Sequence, residues 1–114
     1  MEEILEQTLL YDFYGELLTD RQKKVYEDVI FNDYSCSEVA KDQGISRQGI
    51  HEMIKRIHKT LEDYEEKLHL VEQFTRTKHS ISMIDELANQ FLESGDREMV
   101  IKIQQIARDI IESD

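Results

Sequence analysis

The chain has 114 residues and a mass of 13.6 kDa, the size of one ordinary domain with its own core. Its formal net charge is -11, yet 39% of its residues are hydrophobic and recur periodically, which argues against a disordered chain. Proline is absent and glycine numbers only four, so the composition favours an all-α fold without a sheet. An acidic N-terminus and the lack of an apolar run of about 18 residues argue against a secretory signal and a membrane span. We therefore expect a cytoplasmic protein that does not insert into membranes.

The first two predicted helices are separated by a capping signal. Apolar residues at helical spacing predict a helix over residues 1–18, although Gly15 weakens its end. Thr19, followed by Gln22 three residues later, matches a capping box, in which each residue satisfies a backbone N–H of the other. The second helix is expected to continue to about residue 32.

A helix-turn-helix is predicted over residues 37–60. Ser35 and Glu38 form another capping signal for a short helix, and Gly44 ends that helix because glycine tolerates a positive φ. Ser46 can cap the helix that follows. Ala40 supplies the small side chain needed where the two helices cross.

Polar side chains are expected along one side of the second helix of this motif. The candidate nucleic-acid-binding residues are Ser46, Arg47, Gln48, His51, Glu52, Lys55, Arg56 and Lys59. Amide, carboxylate, ammonium and guanidinium groups of these kinds contact base edges and phosphates in DNA complexes. An ordinary solvated helix face is the alternative. Residues 37–60 contain five bases and three acids, a net +2, so the remainder carries -13 and its repulsion should weaken DNA binding.

The same helix carries a heptad seam, which predicts a helix from residue 47 to about residue 74. Its members are Ile50, Ile54, Ile57, Leu61, Tyr64, Leu68 and Val71. The last four, Leu61, Tyr64, Leu68 and Val71, lie beyond the reach of the short helices and are candidate contacts of a homodimer. The alternative is that the first helix or the C-terminal helices cover them within one chain.

The C-terminal residues predict a helical hairpin. The segment "TRTKHS", residues 75–80, is expected to break the long fourth helix. A fifth helix should end at "SGD", and Asp96 should cap a sixth. The predicted organisation is thus a domain over residues 1–74, containing the extended helix, and a hairpin over residues 75–114 packed on it.

Catalytic, metal and cofactor sites are not expected. His58 with Glu62, and Glu65 with His69, stand four residues apart, but such pairs are common on charged helices. No phosphate-binding glycine loop or nucleophile motif accompanies them. The sequence predicts a protein that is not an enzyme.

Residues 17–61 resemble the fourth region of bacterial sigma factors, whose helix-turn-helix reads promoter DNA. The stretches "LYDFYGELLTDRQ", "DYSCSEVA", "ISRQGIHEMIKR" and "LEDYEEKLHLVEQF" are similar to the YlxM family of small bacterial helix-turn-helix proteins. This resemblance implies an accessory or regulatory role with the signal recognition particle, through its protein or its RNA. A DNA-binding transcriptional regulator is the alternative.

Overall fold

A computed structural model describes residues 2–113, and within this range the chain forms six α-helices and no strand. The helices are α1 (Glu2–Tyr14), α2 (Asp20–Tyr26), α3 (Cys36–Gln43), α4 (Arg47–Leu68), α5 (Leu70–Ser94) and α6 (Arg97–Glu112). A 3-10 turn, Gly15–Leu17, follows α1, and a π-helical turn, Glu27–Phe31, extends α2. The predicted all-α fold is confirmed. No helix in the described range is long and apolar enough to cross a membrane.

The predicted helix starts are confirmed at atomic detail. The Thr19 hydroxyl accepts from the Gln22 N–H at 3.2 Å, and the Thr19 N–H donates to the Gln22 side chain at 2.9 Å. The Ser46 hydroxyl accepts from the Gly49 N–H at 2.9 Å. Asp96 accepts from the backbone of Glu98 at 3.0 Å, as expected for the cap of α6. These bonds satisfy donors that have no partner inside the helix.

The chain divides into two compact units, Met1–Val71 and Glu72–Asp114. The first unit has two buried clusters built along α4. One packs α1 and α2 on the middle of α4 and comprises Leu10, Tyr14, Leu18, Tyr26, Ile57 and Leu61. The other packs α2 and α3 on the start of α4 and comprises Val25, Val39, Ala40 and Ile50. Helix α4 is therefore the central element of this unit.

The fourth helix is shorter than the heptad pattern predicted. It ends at Leu68 rather than near residue 74, because His69 adopts a left-handed conformation with φ 57° and α5 begins at Leu70. The expected break at residues 75–80 was wrong as well, since this polar segment lies inside α5. It contains no proline or glycine, so nothing in its backbone prevents a helix.

A buried contact with α1 fixes the point where α4 ends. The Tyr14 hydroxyl donates to Glu65 Oε1 at 2.6 Å and accepts from the Leu70 N–H at 3.1 Å. Glu65 Oε1 also accepts from the Val71 N–H at 2.9 Å. Burial and the adjacent Glu65 carboxylate raise the pKa of Tyr14, which keeps the phenol protonated as a donor. Together these groups cap the first turn of α5 and hold the left-handed turn before it.

The second unit consists of most of α5 together with α6. Gly95 joins the two helices with a φ of 70°, a value that glycine adopts without steric cost. None of its described residues is fully buried. The half-buried apolar residues are Ile84, Leu87, Ala88 and Phe91 on α5 and Met99, Ile103, Ile106, Ala107 and Ile110 on α6. This unit therefore has amphipathic helices but no fully enclosed core among the residues described.

Enlarging Ala40 should destabilise the helix-turn-helix. Ala40 is only 5% exposed and belongs to the cluster of Val25, Val39 and Ile50. The substitution Ala40→Leu should cost roughly 1 to 3 kcal/mol, because a well-packed crossing has no room for added methylenes. Urea unfolding provides the measurement, and Lys41→Leu is the control, since Lys41 is exposed on the same helix. An unchanged midpoint for Ala40→Leu would contradict the close crossing.

Candidate nucleic-acid interface

The turn between α3 and α4 has the geometry predicted for a helix-turn-helix. Gly44 adopts a left-handed conformation with φ 68° and ψ 29°, and its N–H donates to the Ala40 carbonyl. The Ile45 N–H donates to the same carbonyl at 3.1 Å. Ser46 then starts α4 in an extended conformation. Gly44, Ile45 and Ser46 thus redirect the chain from α3 into α4, and the Ala40 carbonyl accepts from the first two of them.

The core beneath this turn determines which side of α4 faces outward. Ile50 and Val25 are fully buried, and Val39 and Ala40 are nearly so. Since a helix advances about 100° per residue, burying Ile50 and Ile57 turns the opposite side of α4 toward solvent. The packing of α2 and α3 therefore orients the candidate interface.

Gln43 adds a contact that sequence reasoning did not find. Its position in a helix-turn-helix is usually apolar, and here the side chain is half-buried. Gln43 Oε1 accepts from Arg21 Nε at 3.0 Å, which ties the end of α3 to α2. A polar residue at a usually apolar position indicates that its side chain has a specific partner. The sequence alone does not identify that partner, because Arg21 is 22 residues away.

All eight candidate nucleic-acid-binding residues are exposed in one continuous region. Gln48, Lys55 and Lys59 lie within about 40° of one another on the side opposite Ile57. His51 and Arg47 lie toward one edge of this side, and Arg56 lies toward the other. We call these eight residues, Ser46, Arg47, Gln48, His51, Glu52, Lys55, Arg56 and Lys59, the α4 face.

Several members of the α4 face contact one another. Gln48 Nε2 donates to Glu52 Oε1 at 3.2 Å, and Arg56 Nε donates to the Glu52 carbonyl at a long 3.5 Å. Lys59 Nζ lies 3.8 Å from Asp63, an exposed pair that contributes little to stability. These contacts are weak or solvent-exposed, so a ligand can replace them at small cost.

Arg47 and Lys55 are the basic residues best placed for a ligand. Both are exposed, and within the described part of the chain neither side chain has a hydrogen-bond or ion-pair partner. Arg47 occupies the first turn of α4, and Lys55 lies two turns further along. Their charges therefore remain available to phosphate or base oxygens.

An acidic cleft beside α3 limits where a nucleic acid can lie. This cleft has a volume of about 380 Å³ and is lined by Lys24, Asp28, Asn32, Tyr34, Glu38, Val39 and Asp42. Three of these side chains are carboxylates against a single lysine. The carboxylates repel phosphates from this cleft, so the α4 side of the motif is the more favourable one for a nucleic acid.

The residues predicted for a dimer interface are mostly covered by their own chain. Leu61 is fully buried in the α1–α4 cluster and has no exposed surface to offer a second subunit. Tyr64 is half-buried and stacks on Tyr14 with ring centroids 6.0 Å apart, and Val71 packs on the same cluster. Leu68 alone remains largely exposed, at 51%. Residues of α1 therefore cover most of this part of the heptad seam within the same chain.

The geometry of α3 and α4 defines a helix-turn-helix protein. The chain belongs to the UPF0122 family, whose model is described as "Putative helix-turn-helix protein, YlxM / p13 like" and matches residues 1–105. Helix-turn-helix motifs are typical of nucleic-acid-binding proteins.

Relatives match nearly the whole chain. A UPF0122 protein of Thermoanaerobacter sp. (strain X514) is 40% identical, and the match covers 97% of this chain and 96% of that protein. One from Acetivibrio thermocellus is 35% identical over 99% of this chain and 100% of its own length. The UPF0122 protein YofM of Lactococcus lactis subsp. lactis is 37% identical over 93% and 91%, respectively.

Proposed function

We propose that this protein is a cytoplasmic accessory or regulatory protein of the signal recognition particle pathway, and that its α4 face contacts nucleic acid. The observation that carries the proposal is the exposed basic side of α4, held outward by the buried contacts of Ile50 with α2 and α3. The all-helical fold and the family favour a binding protein over an enzyme.

The order of side chains along α4 assigns different roles to its two ends. The first turn of the second helix is the part that enters a groove in helix-turn-helix complexes, and Arg47 and Gln48 in that turn are the proposed base contacts. Lys55, Arg56 and Lys59 lie about two to three turns later, at a distance suited to phosphates. Binding by this face should therefore combine a small base-reading contact with a larger electrostatic one.

The charge distribution favours a ribonucleoprotein over bare duplex DNA. The segment with the α4 face carries +2, against -13 for the rest of the chain. A bare duplex offers only phosphates and repels most of this surface. A ribonucleoprotein offers phosphates for α4 and also basic protein surface for the acidic remainder. The likeness to the YlxM family supports the signal recognition particle as that partner.

Direct binding measurements distinguish these ligands. The full chain is titrated separately with the particle's RNA, its GTPase, the assembled particle and a mixed-sequence duplex, at about 50 and 200 mM salt. We expect the assembled particle to bind most tightly and the duplex to bind weakly at the higher salt. Equal affinity for the particle and the duplex would contradict the proposed pathway.

A sequence-specific DNA-binding transcriptional regulator is the second candidate. It is favoured by the exposure of Gln48 beside Glu52, because amide and carboxylate groups distinguish adenine and cytosine edges in the major groove. Selection from a randomised duplex pool should then enrich one sequence, and Gln48→Ala should relax the preference. Gln105→Ala, at an exposed glutamine on α6, is the matched control. A pool without enrichment eliminates this candidate.

A further inference from the structure

An exposed apolar stripe runs along α5. It consists of the exposed residues Phe74, Ile81 and Leu92 and of Ala88, which is half-buried. Phe74, Ile81 and Leu92 are 42%, 57% and 80% exposed, respectively. All four residues lie within about 40° of one another around the helix and extend about 27 Å along it. We call them the α5 stripe.

The exposed members of the α5 stripe lie beside the covered side of the helix, and the half-buried Ala88 lies at the boundary between the two. The half-buried residues Ile84, Leu87 and Phe91 lie about 60° to 120° around the helix axis from the centre of the stripe, all on the same side of it. Isolated apolar residues on a surface are ordinary, but three exposed ones aligned on one side of a helix offer a surface on which a second helix can pack. The described residues of this unit also include none that is fully buried, so additional packing would stabilise it.

The spacing of the residues in the stripe allows two copies of α5 to pack against each other when they run antiparallel. When two α5 helices pair about Ile81, each Ile81 meets its copy. Phe74 then lies opposite Ala88 of the second copy, because both are seven residues from the centre. A large ring thus faces a small side chain in two symmetric places. Such large-to-small matching is what closely packed helices require.

Two charged residues beside the stripe also match their opposites when two α5 helices pair antiparallel about Ile81. Lys78 and Asp85 project on its other side, within about 20° of each other around α5. The Lys78 ammonium lies 6.0 Å from the centroid of the Phe74 ring, which places it along the stripe. Antiparallel pairing brings Lys78 of each chain to Asp85 of the other, twice per dimer. In a parallel pair the two copies of this charged flank would lie on opposite sides of the interface, so Lys78 of one chain could not reach Asp85 of the other.

We propose that the chain forms a homodimer in which two α5 helices pair antiparallel through the α5 stripe, with the two-fold axis at Ile81. This interface replaces the α4 seam as the dimer contact, since the seam is largely covered by α1. We infer that a second copy of the chain covers the stripe, because a single two-fold rotation brings Phe74 to Ala88 and Lys78 to Asp85. The pairing is independent of which nucleic acid the α4 face binds.

A charge swap tests the direction of pairing. Sedimentation equilibrium of the full chain at tens of micromolar should show a dimer. Lys78→Glu or Asp85→Lys alone should raise the dissociation constant by roughly tenfold, because two attractive pairs become repulsive. The double variant should restore the wild-type constant. A monomeric wild-type chain would overturn the proposal, as would a double variant that is no tighter than the single variants.

A cysteine at the proposed axis tests its position. In a Cys36→Ala background, which removes the lone native thiol, Ile81→Cys should form a covalent dimer under mild oxidation. Met83→Cys is the control, because Met83 is 41% exposed but projects about 160° away from Ile81. We expect cross-linking only at position 81. Equal cross-linking at the two positions, or none at either, contradicts an axis at Ile81.

Discussion

Truncating Leu61 to alanine should destabilise the protein by about 2 to 5 kcal/mol. Leu61 is fully buried in the cluster that joins α1 to α4, and removing its methyl groups leaves a cavity there. Since folded domains of this size have a free energy of unfolding of about 5 to 15 kcal/mol, the loss should be a large fraction of the total. Urea unfolding, at a fixed protein concentration so that self-association does not shift the midpoint, provides the measurement.

Leu68→Ala is the matched control for this prediction. Leu68 lies two turns later on the same helix and the same predicted seam, but it is 51% exposed. Its truncation should change the free energy of unfolding by only about 0.5 kcal/mol. Equal decreases in the free energy of unfolding for the two variants would contradict the burial of Leu61 under α1.

Replacing Arg47, Lys55 and Arg56 together with alanine should weaken nucleic-acid binding on the order of a hundredfold at low salt. Each residue is exposed on the α4 face, so the fold should be retained. The slope of log affinity against log salt should become shallower by up to about 0.7 to 0.9 for each phosphate contact that is lost. Fluorescence anisotropy with the particle's RNA, over a range of salt concentrations, measures both quantities.

The charge-matched control for this triple variant is a second triple variant elsewhere on the surface. Lys67, Lys102 and Arg108 are exposed and lie outside the α4 face. Changing them to alanine alters the net charge by the same amount. This variant should bind nearly as well as the wild type. If both triple variants lose affinity equally, general charge rather than the α4 face determines binding.

The helix starts were predictable because their causes are local. Thr19 with Gln22, Ser46 and Asp96 each satisfy a backbone donor two or three residues away. The turn at Gly44 was predictable for the same reason, since a positive φ selects glycine at that position. The exposure of the α4 face was predictable as well, because helical periodicity places Gln48, Lys55 and Lys59 opposite the apolar side and the other members beside them.

The end of α4 was not predictable because its cause is distant in sequence. Nothing around His69 requires a break, and the heptad pattern continues through Val71. The break depends on Tyr14, which contacts Glu65 51 residues later in the chain. Periodicity likewise predicts that an apolar seam exists, but only tertiary packing determines what covers it.

The most direct test of the central claim, that the α4 face is the nucleic-acid contact, is an NMR titration of the full chain. Amide resonances of the 15N-labelled protein are followed while the particle's RNA is added. We expect the largest changes within residues 46–59. Changes confined to residues 72–113, with the resonances of α4 unaltered, would contradict the claim.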